Sequence, residues 1–259
     1  MVEETSHNWW RVALVAGGLL AAGCAPARID GVVRPAPGAP RLKSLPGPMP
    51  DFGPFNSYSD ALIAACSHIL SKPNATAGRV QDQDFQLRWR ISNEYCAWLY
   101  YTPEHRYEMS MLTDQSEPDD LGRKKSCDLP PVVDDPRYPP ESLKYVFALH
   151  NHPYEDRISD DDIRSILSRG ALHGFETETQ RGKVRLSIIA FFSKSSDPAR
   201  PTCDGFFQYI PYTSQLLKWT QTRGQWSCLQ TGLVRGSSEK DFRIEAKSAP
   251  CSSSNGSAP

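Results

Sequence analysis

The stretch that most limits what this chain can become is KYVFALHNHPYEDRISDDDIRSILSRG, residues 144–170. Tyr145 to Leu149 is a short apolar run of the kind that forms a buried strand, and it leads into His150, Asn151, His152 and Pro153. Side chains at i and i+2 of a strand share a face, so His150 and His152 can bring two imidazoles to one point. After a six-residue loop, Ser159 opens a helix whose first turn carries Asp160, Asp161 and Asp162. Ser159 and Asp162 have capping-box spacing, Asp standing for the usual Glu. Ile163, Ile166 and Leu167 supply the apolar stripe, and Gly170 suits a left-handed C-terminal cap. Two histidines and an acid from the helix start can make a three-ligand metal site with one open position, as hydrolytic zinc centres require. Ser159 and Asp162 can also serve simply as a cap, a role compatible with metal binding.

The rest of the composition narrows the setting. With 259 residues the chain suits one domain plus tails. Its 29 basic and 30 acidic side chains leave a net charge of −1, so nothing points to nucleic acid. Val12 to Ala22 is an apolar run preceded by Arg11 and followed by Gly23 and Cys24. It is shorter than the roughly 20 residues a membrane span needs and has the length of a signal-peptide core. Leu20-Ala21-Ala22-Gly23-Cys24 resembles a bacterial lipobox, which makes Cys24 the expected lipidation site and the chain an exported protein of the cell envelope, anchored to a membrane. Export puts Cys66, Cys96, Cys127, Cys203, Cys228 and Cys251 in an oxidising compartment, where three disulfides are expected. The sequence leaves about fifteen pairings open, and Cys251 lies in a tail where it could stay unpaired.

In chain order, residues 1–24 read as the signal segment and 25–55, with eight prolines, as an extended linker. Residues 56–235 read as the folded domain. Ser57 caps a helix running to about Ser71, with Leu62, Ala65, Cys66, Ile69 and Leu70 as its buried stripe. FQLRWRI, EYCAWLYYT and RYEMSMLTD read as strands, the last two joined in a hairpin at Pro103-Glu104-His105. Residues 115–143 form a long polar connection that a disulfide at Cys127 could pin. Further strands are expected to about Val234, with a short helix near Ser214 to Trp219. Residues 236–259 read as a disordered low-complexity tail.

His150-Asn151-His152-Pro153 with Ser159 and Asp162 resembles the metal motif of the JAB1/MPN (JAMM) metallopeptidases, H-x-H, about seven residues, then S-x-x-D, and HNHP is similar to the bacterial RadC-like branch. Glu94-Tyr95-Cys96-Ala97-Trp98-Leu99 is similar to the family's upstream E-x-C-G-x-L segment, with Ala97 where glycine is usual. The resemblance covers residues 57–195. It implies an α/β fold, a JAB1/MPN-like mixed β-sheet flanked by helices in a single domain. It also implies Zn2+ held by His150, His152 and Asp162, Glu94 as general base, and Ser159 as donor to the oxyanion of the tetrahedral intermediate. Glu108, mid-strand, is the alternative base. The expected activity is hydrolysis of a peptide or isopeptide bond in a peptide or protein substrate. A non-catalytic binding lipoprotein of the same fold and a metal-dependent amidase acting on cell-wall material use the same residues. Export disfavours a ubiquitin-like substrate or a DNA role.

Overall fold

The computed structural model describes residues 28–116, 125–238 and 240–251. The signal segment, the lipobox with Cys24, and the last residues of the tail lie outside the described residues. The chain divides into a unit ending at Asp30 and one beginning at Gly31, and every element named below belongs to the second.

Its centre is a mixed sheet of eight strands in the order β12-β11-β10-β9-β8-β5-β2-β3. These are β2 (Cys96–Tyr101), β3 (Tyr107–Met109), β5 (Lys144–Asn151), β8 (Ser187–Phe192), β9 (Gly205–Ile210), β10 (Gln215–Thr222), β11 (Gln225–Ser238) and β12 (Asp241–Pro250). β5 and β8 are parallel and the other neighbours antiparallel. β2, β5 and β8 are buried almost throughout, as strands covered on both faces should be. Two smaller pairs complete the fold: β1 (Ser44–Pro46) parallel to β4 (Val132–Asp134), and the hairpin β6 (Glu176–Thr179) with β7 (Gly182–Arg185).

Two helices cover the sheet around β5. Helix α1 (Tyr58–Leu70) starts where Ser57 Oγ accepts from the Asp60 amide, and it buries the expected stripe against β2, β3, β5 and β8. The disulfide Cys66–Cys203 ties it to the segment after β8. The short helix α2 is Phe85–Ile91. Helix α3 (Asp160–His173) packs Ile163 and Ile166 against the face that carries Trp98, Ala148 and Ile188. Tyr58 of α1 meets Phe147, the residue before Ala148, so alternation along β5 gives α1 one face of the strand and α3 the other. The fold is thus α/β, a mixed sheet flanked by helices.

Several expectations are corrected. FQLRWRI has the period of a strand, yet it forms α2: only Phe85 is buried, while Leu87 and Ile91, which alternation would place on the same face, are exposed. Helix α3 runs one turn past Gly170. There the ring of Phe175 occupies the space a Cβ would need, while Gly174, at φ +85°, takes the C-terminal position. Residues 215–219 belong to β10, preceded by a 3-10 turn at Pro211–Thr213, and form no α-helix. From Gly31 the proline-rich stretch is no free linker: Leu45, Met49 and Phe52 are buried, and β1 carries Pro46 in extended backbone at a sheet edge. The described part of the tail holds the end of β11 and all of β12, and the ladder between them is closed by Cys228–Cys251. Closing a loop of 23 residues is worth about 3 kcal/mol on the chain-entropy account. With Cys96–Cys127, all six of these cysteines are paired. Three disulfides suit an oxidising environment, and among the described residues no helix is long and apolar enough to cross a membrane.

Candidate metal centre

At the end of β5, His150 and His152 project from the face that α3 covers, and the start of α3 brings Asp162 to them. One ligand atom from each of the three lies within 4.8 Å of the others. The separations are 3.1 Å between the two Nε2 atoms, 3.3 Å from His150 Nε2 to Asp162 Oδ1, and 3.5 Å from His152 Nε2 to Asp162 Oδ2. In a tetrahedral zinc site with ligands about 2.0–2.1 Å from the ion, neighbouring ligand atoms stand about 3.3–3.4 Å apart. The three separations, two of them to different oxygens of the carboxylate, are close to that spacing, so the group could hold a metal ion. The six-residue loop from Pro153 to Ile158 is long enough to let Asp162 reach.

Two of the three candidate ligands, His152 and Asp162, are oriented by a second contact. His152 Nδ1 lies 2.9 Å from the Asp156 carbonyl. A carbonyl only accepts, so Nδ1 carries a proton, which leaves Nε2 as the nitrogen that would bind a cation in exchange for its own proton. Asp162 Oδ2 accepts from the Ser159 amide at 2.9 Å and from the Ser159 hydroxyl at 2.7 Å, while Ser159 Oγ accepts from the Asp162 amide. This is the capping box the spacing predicts, and it fixes the carboxylate against the histidines. Ser159 thus sits beside the ligand with its proton committed to it.

The charges follow from that geometry. Burial pushes the Asp162 carboxyl up, but the two imidazoles outweigh it and hold it well below the usual carboxylate range. Burial pulls His152 down, yet the hydrogen bond to Asp162 and the charge of Glu94 raise it to about 9. Glu94 is buried and feels both imidazoles. Desolvation raises its pKa, with His152 and His150 opposing. It is not among the three groups whose donor atoms converge. Glu108, the alternative base, is bound instead to Arg137 in a separate cluster with Asp135 and Tyr100.

Glu94, His150, His152, Ser159 and Asp162 line a cleft of about 950 Å3. One wall is the segment following Lys125, tied to β2 by Cys96–Cys127, and Cys96 is the register partner of His150. Four successive carbonyls of that wall are each capped by a side chain: Asp128 by Gln115, Leu129 by Arg169, Pro130 by Trp98 and Pro131 by His173. Lys125 stands near Glu94, donating to the Arg90 carbonyl at 2.9 Å, its ammonium 5.2 Å from the centre of the Trp89 ring. Sequence reasoning gave no role to Lys125 or to Asn151. A lysine in a polar connection has no local signature, and Asn151 was hidden between its two histidine neighbours.

Comparison with protein-family models, curated proteins and solved structures returned no match.

Proposed function

We propose that this chain is an exported zinc-dependent hydrolase of JAB1/MPN (JAMM) type that cleaves peptide or isopeptide bonds. The observation that carries the reading is the convergence of His150, His152 and Asp162 donor atoms within 4.8 Å of one another, with a buried second carboxylate, Glu94, beside them and outside the cluster.

Zinc in such a site supplies Lewis acidity and lowers the pKa of a water towards about 7. Glu94 takes the proton of the attacking water and hands it to the leaving amine, and burial raises its pKa, the direction that makes a carboxylate a better proton acceptor. The Asp156 carbonyl holds His152 in the tautomer that presents Nε2. Ser159 donates to the developing oxyanion once its hydroxyl turns from Asp162. A cleft of about 950 Å3 accommodates a peptide segment. Cys24, as the acylated residue after export, anchors the chain to a membrane of the cell envelope.

Metal analysis of the purified full chain tests this. About one equivalent of zinc is expected in the wild type and less than about a tenth in His150→Ala. A wild-type content below that level, or no change in the variant, removes the reading. With zinc bound, Glu94→Gln should keep the metal and lose hydrolysis of a peptide library. Unchanged turnover would take Glu94 out of the mechanism.

A further inference from the structure

The ladder between β2 and β5 ends at Cys96↔His150, one residue short of Tyr95 and two short of Glu94. Continuing its antiparallel register would set Tyr95 opposite Asn151 and Glu94 opposite His152. Cys96 spends its own amide and carbonyl on Thr113, on the other side of β2. By alternation the amide of Tyr95 therefore points toward β5. It finds no backbone carbonyl there, and Asn151 Oδ1 accepts it at 2.8 Å. The Asn151 Nδ2 donates to the Asn93 carbonyl at 3.0 Å and to the Ala75 carbonyl at 2.6 Å.

One side-chain amide thus replaces the missing ladder rung and grips the backbone on both sides of Glu94. Asn151 is fully buried, with its oxygen and both amide hydrogens engaged by these bonds. It points to the face of β5 opposite the two histidines. Its neighbours reinforce the knot. Asn93 donates its amide to the Asn74 carbonyl, and the Pro153 carbonyl accepts from the Ala77 amide and the Thr76 hydroxyl. An apolar side chain of the same size would hold β5 equally well against α1, but it would leave the Tyr95 amide and two carbonyls without partners.

We propose that Asn151 is a positioning residue that sets Glu94 at its working distance from the His150–His152–Asp162 centre, so that one strand end fixes both the ligands and the base. The proposal rests on the reading of Glu94 as general base. Asn151 touches neither substrate nor metal and acts only through the Asn93–Tyr95 backbone.

Asn151→Ala, with Asn151→Asp as the isosteric variant that keeps the acceptor for Tyr95 and loses both donors, tests it. Zinc content should stay near one equivalent in both, because the ligands and their own contacts are intact. In Asn151→Ala, kcat should fall about a hundredfold with KM changed less than about threefold, the pattern of a displaced base. Asn151→Asp should retain part of the lost activity. In a Glu94→Gln background, Asn151→Ala should cost almost nothing further, since two residues acting through one group are not additive. Full multiplication of the two losses, or zinc lost in step with activity, would overturn the proposal and make Asn151 a general structural residue. Hydrogen exchange gives a readout that needs neither metal nor turnover. The Tyr95 amide should be protected in the wild type as well as the ladder amide of Ala97, and should exchange at least about tenfold faster in the variants with Ala97 unchanged. A Tyr95 amide that already exchanges freely in the wild type overturns the proposal even if the variants do not fold. If zinc or hydrolysis is absent from the wild type while the exchange result holds, the hydrolase reading fails and the fastening role of Asn151 stands.

Discussion

The starts of α1 and α3 carry the same local pattern, Ser-x-x-Asp, at Ser57–Asp60 and Ser159–Asp162. In both, the serine oxygen accepts from the amide of the aspartate at 3.1 Å and its hydroxyl donates to the carboxylate at 2.7 Å. Two things differ. At α3 the carboxylate also accepts the serine amide, closing the capping box. And α1 begins against aromatic neighbours, Tyr58 meeting Tyr107 and Phe147, whereas α3 begins over His150 and His152. The motif makes a cap in both places. It makes a candidate ligand only where a second element supplies imidazoles, so the candidate metal site belongs to the pairing of β5 with α3 and not to either alone.

The largest effect that separates the twins is metal affinity. Asp162→Asn should lower zinc affinity by a thousandfold or more, about 4 kcal/mol, and abolish hydrolysis. Asp60→Asn should leave both within twofold. Zinc titration with a competing chelator reads the difference, and a comparable loss in the two variants would break the contrast.

Next in size is the pH response of the metal-free protein. Asp162 is held low, so its contribution to stability is present above the unfolded carboxylate value and is lost as pH falls. His152 is raised from 6.5 to about 9, so its contribution is complete below about 6.5 and is lost as pH rises through 9. After chelation, urea unfolding should show up to about 3 kcal/mol less stability at pH 9.5 than at pH 6 from this group. Asp162→Asn should flatten that alkaline limb and Asp60→Asn should retain it. Zinc, by occupying the imidazoles, should suppress it in the wild type.

A second pair of like residues sharpens the same point. Glu94 and Glu108 are both buried glutamates of the β2–β3 region. Glu108 faces a permanent cation, since Arg137 bridges it to Asp135, which also accepts from Tyr100 at 2.8 Å. Glu94 faces titratable imidazoles and is raised by its own burial. Glu108→Gln should therefore cost about 2 kcal/mol of stability, as an amide meets the guanidinium, with turnover unchanged. Glu94→Gln should leave stability equal or slightly higher, because a neutral amide avoids the desolvation that raises the acid. Thermal unfolding of the two variants side by side distinguishes a structural carboxylate from a functional one.

How much of this was legible follows from the same physics. The H-x-H strand and its acid-capped helix could be read because alternation and capping are local rules, and Glu94 could be read only through its matching segment. The sequence could not separate Glu94 from Glu108, since the partner that occupies Glu108 lies 29 residues away, in a connection with no pattern of its own. Phe85 to Ile91 misled by its period of two, which α2 carries with Leu87 and Ile91 exposed. Strand β12 was invisible for the opposite reason. An edge strand is held by backbone rungs and a disulfide, with only Phe242 and Ile244 reaching the core, so its exposed charges read as a tail. The burial of Leu45, Met49 and Phe52 was masked by the prolines around them.

The smallest effect is the most discriminating. Ser57→Ala and Ser159→Ala each remove one cap oxygen with the same two hydrogen bonds, so each should cost about 1 kcal/mol, a fall in melting temperature of about 2–4 °C for a domain of this size. That equality is the control. Beyond it, Ser159→Ala should loosen the Asp162 carboxylate and weaken zinc binding about tenfold, as removal of a donor behind a ligand does, and should lower turnover further by removing the donor to the oxyanion. Ser57→Ala should do neither. Proximity to the centre alone would not produce this result, since both variants lose the same helix cap and only one loses a contact to a ligand. If the two differ in neither zinc affinity nor turnover once their stabilities are matched, Ser159 is a cap and nothing more, and the hydrolytic roles contract to the three ligands and Glu94.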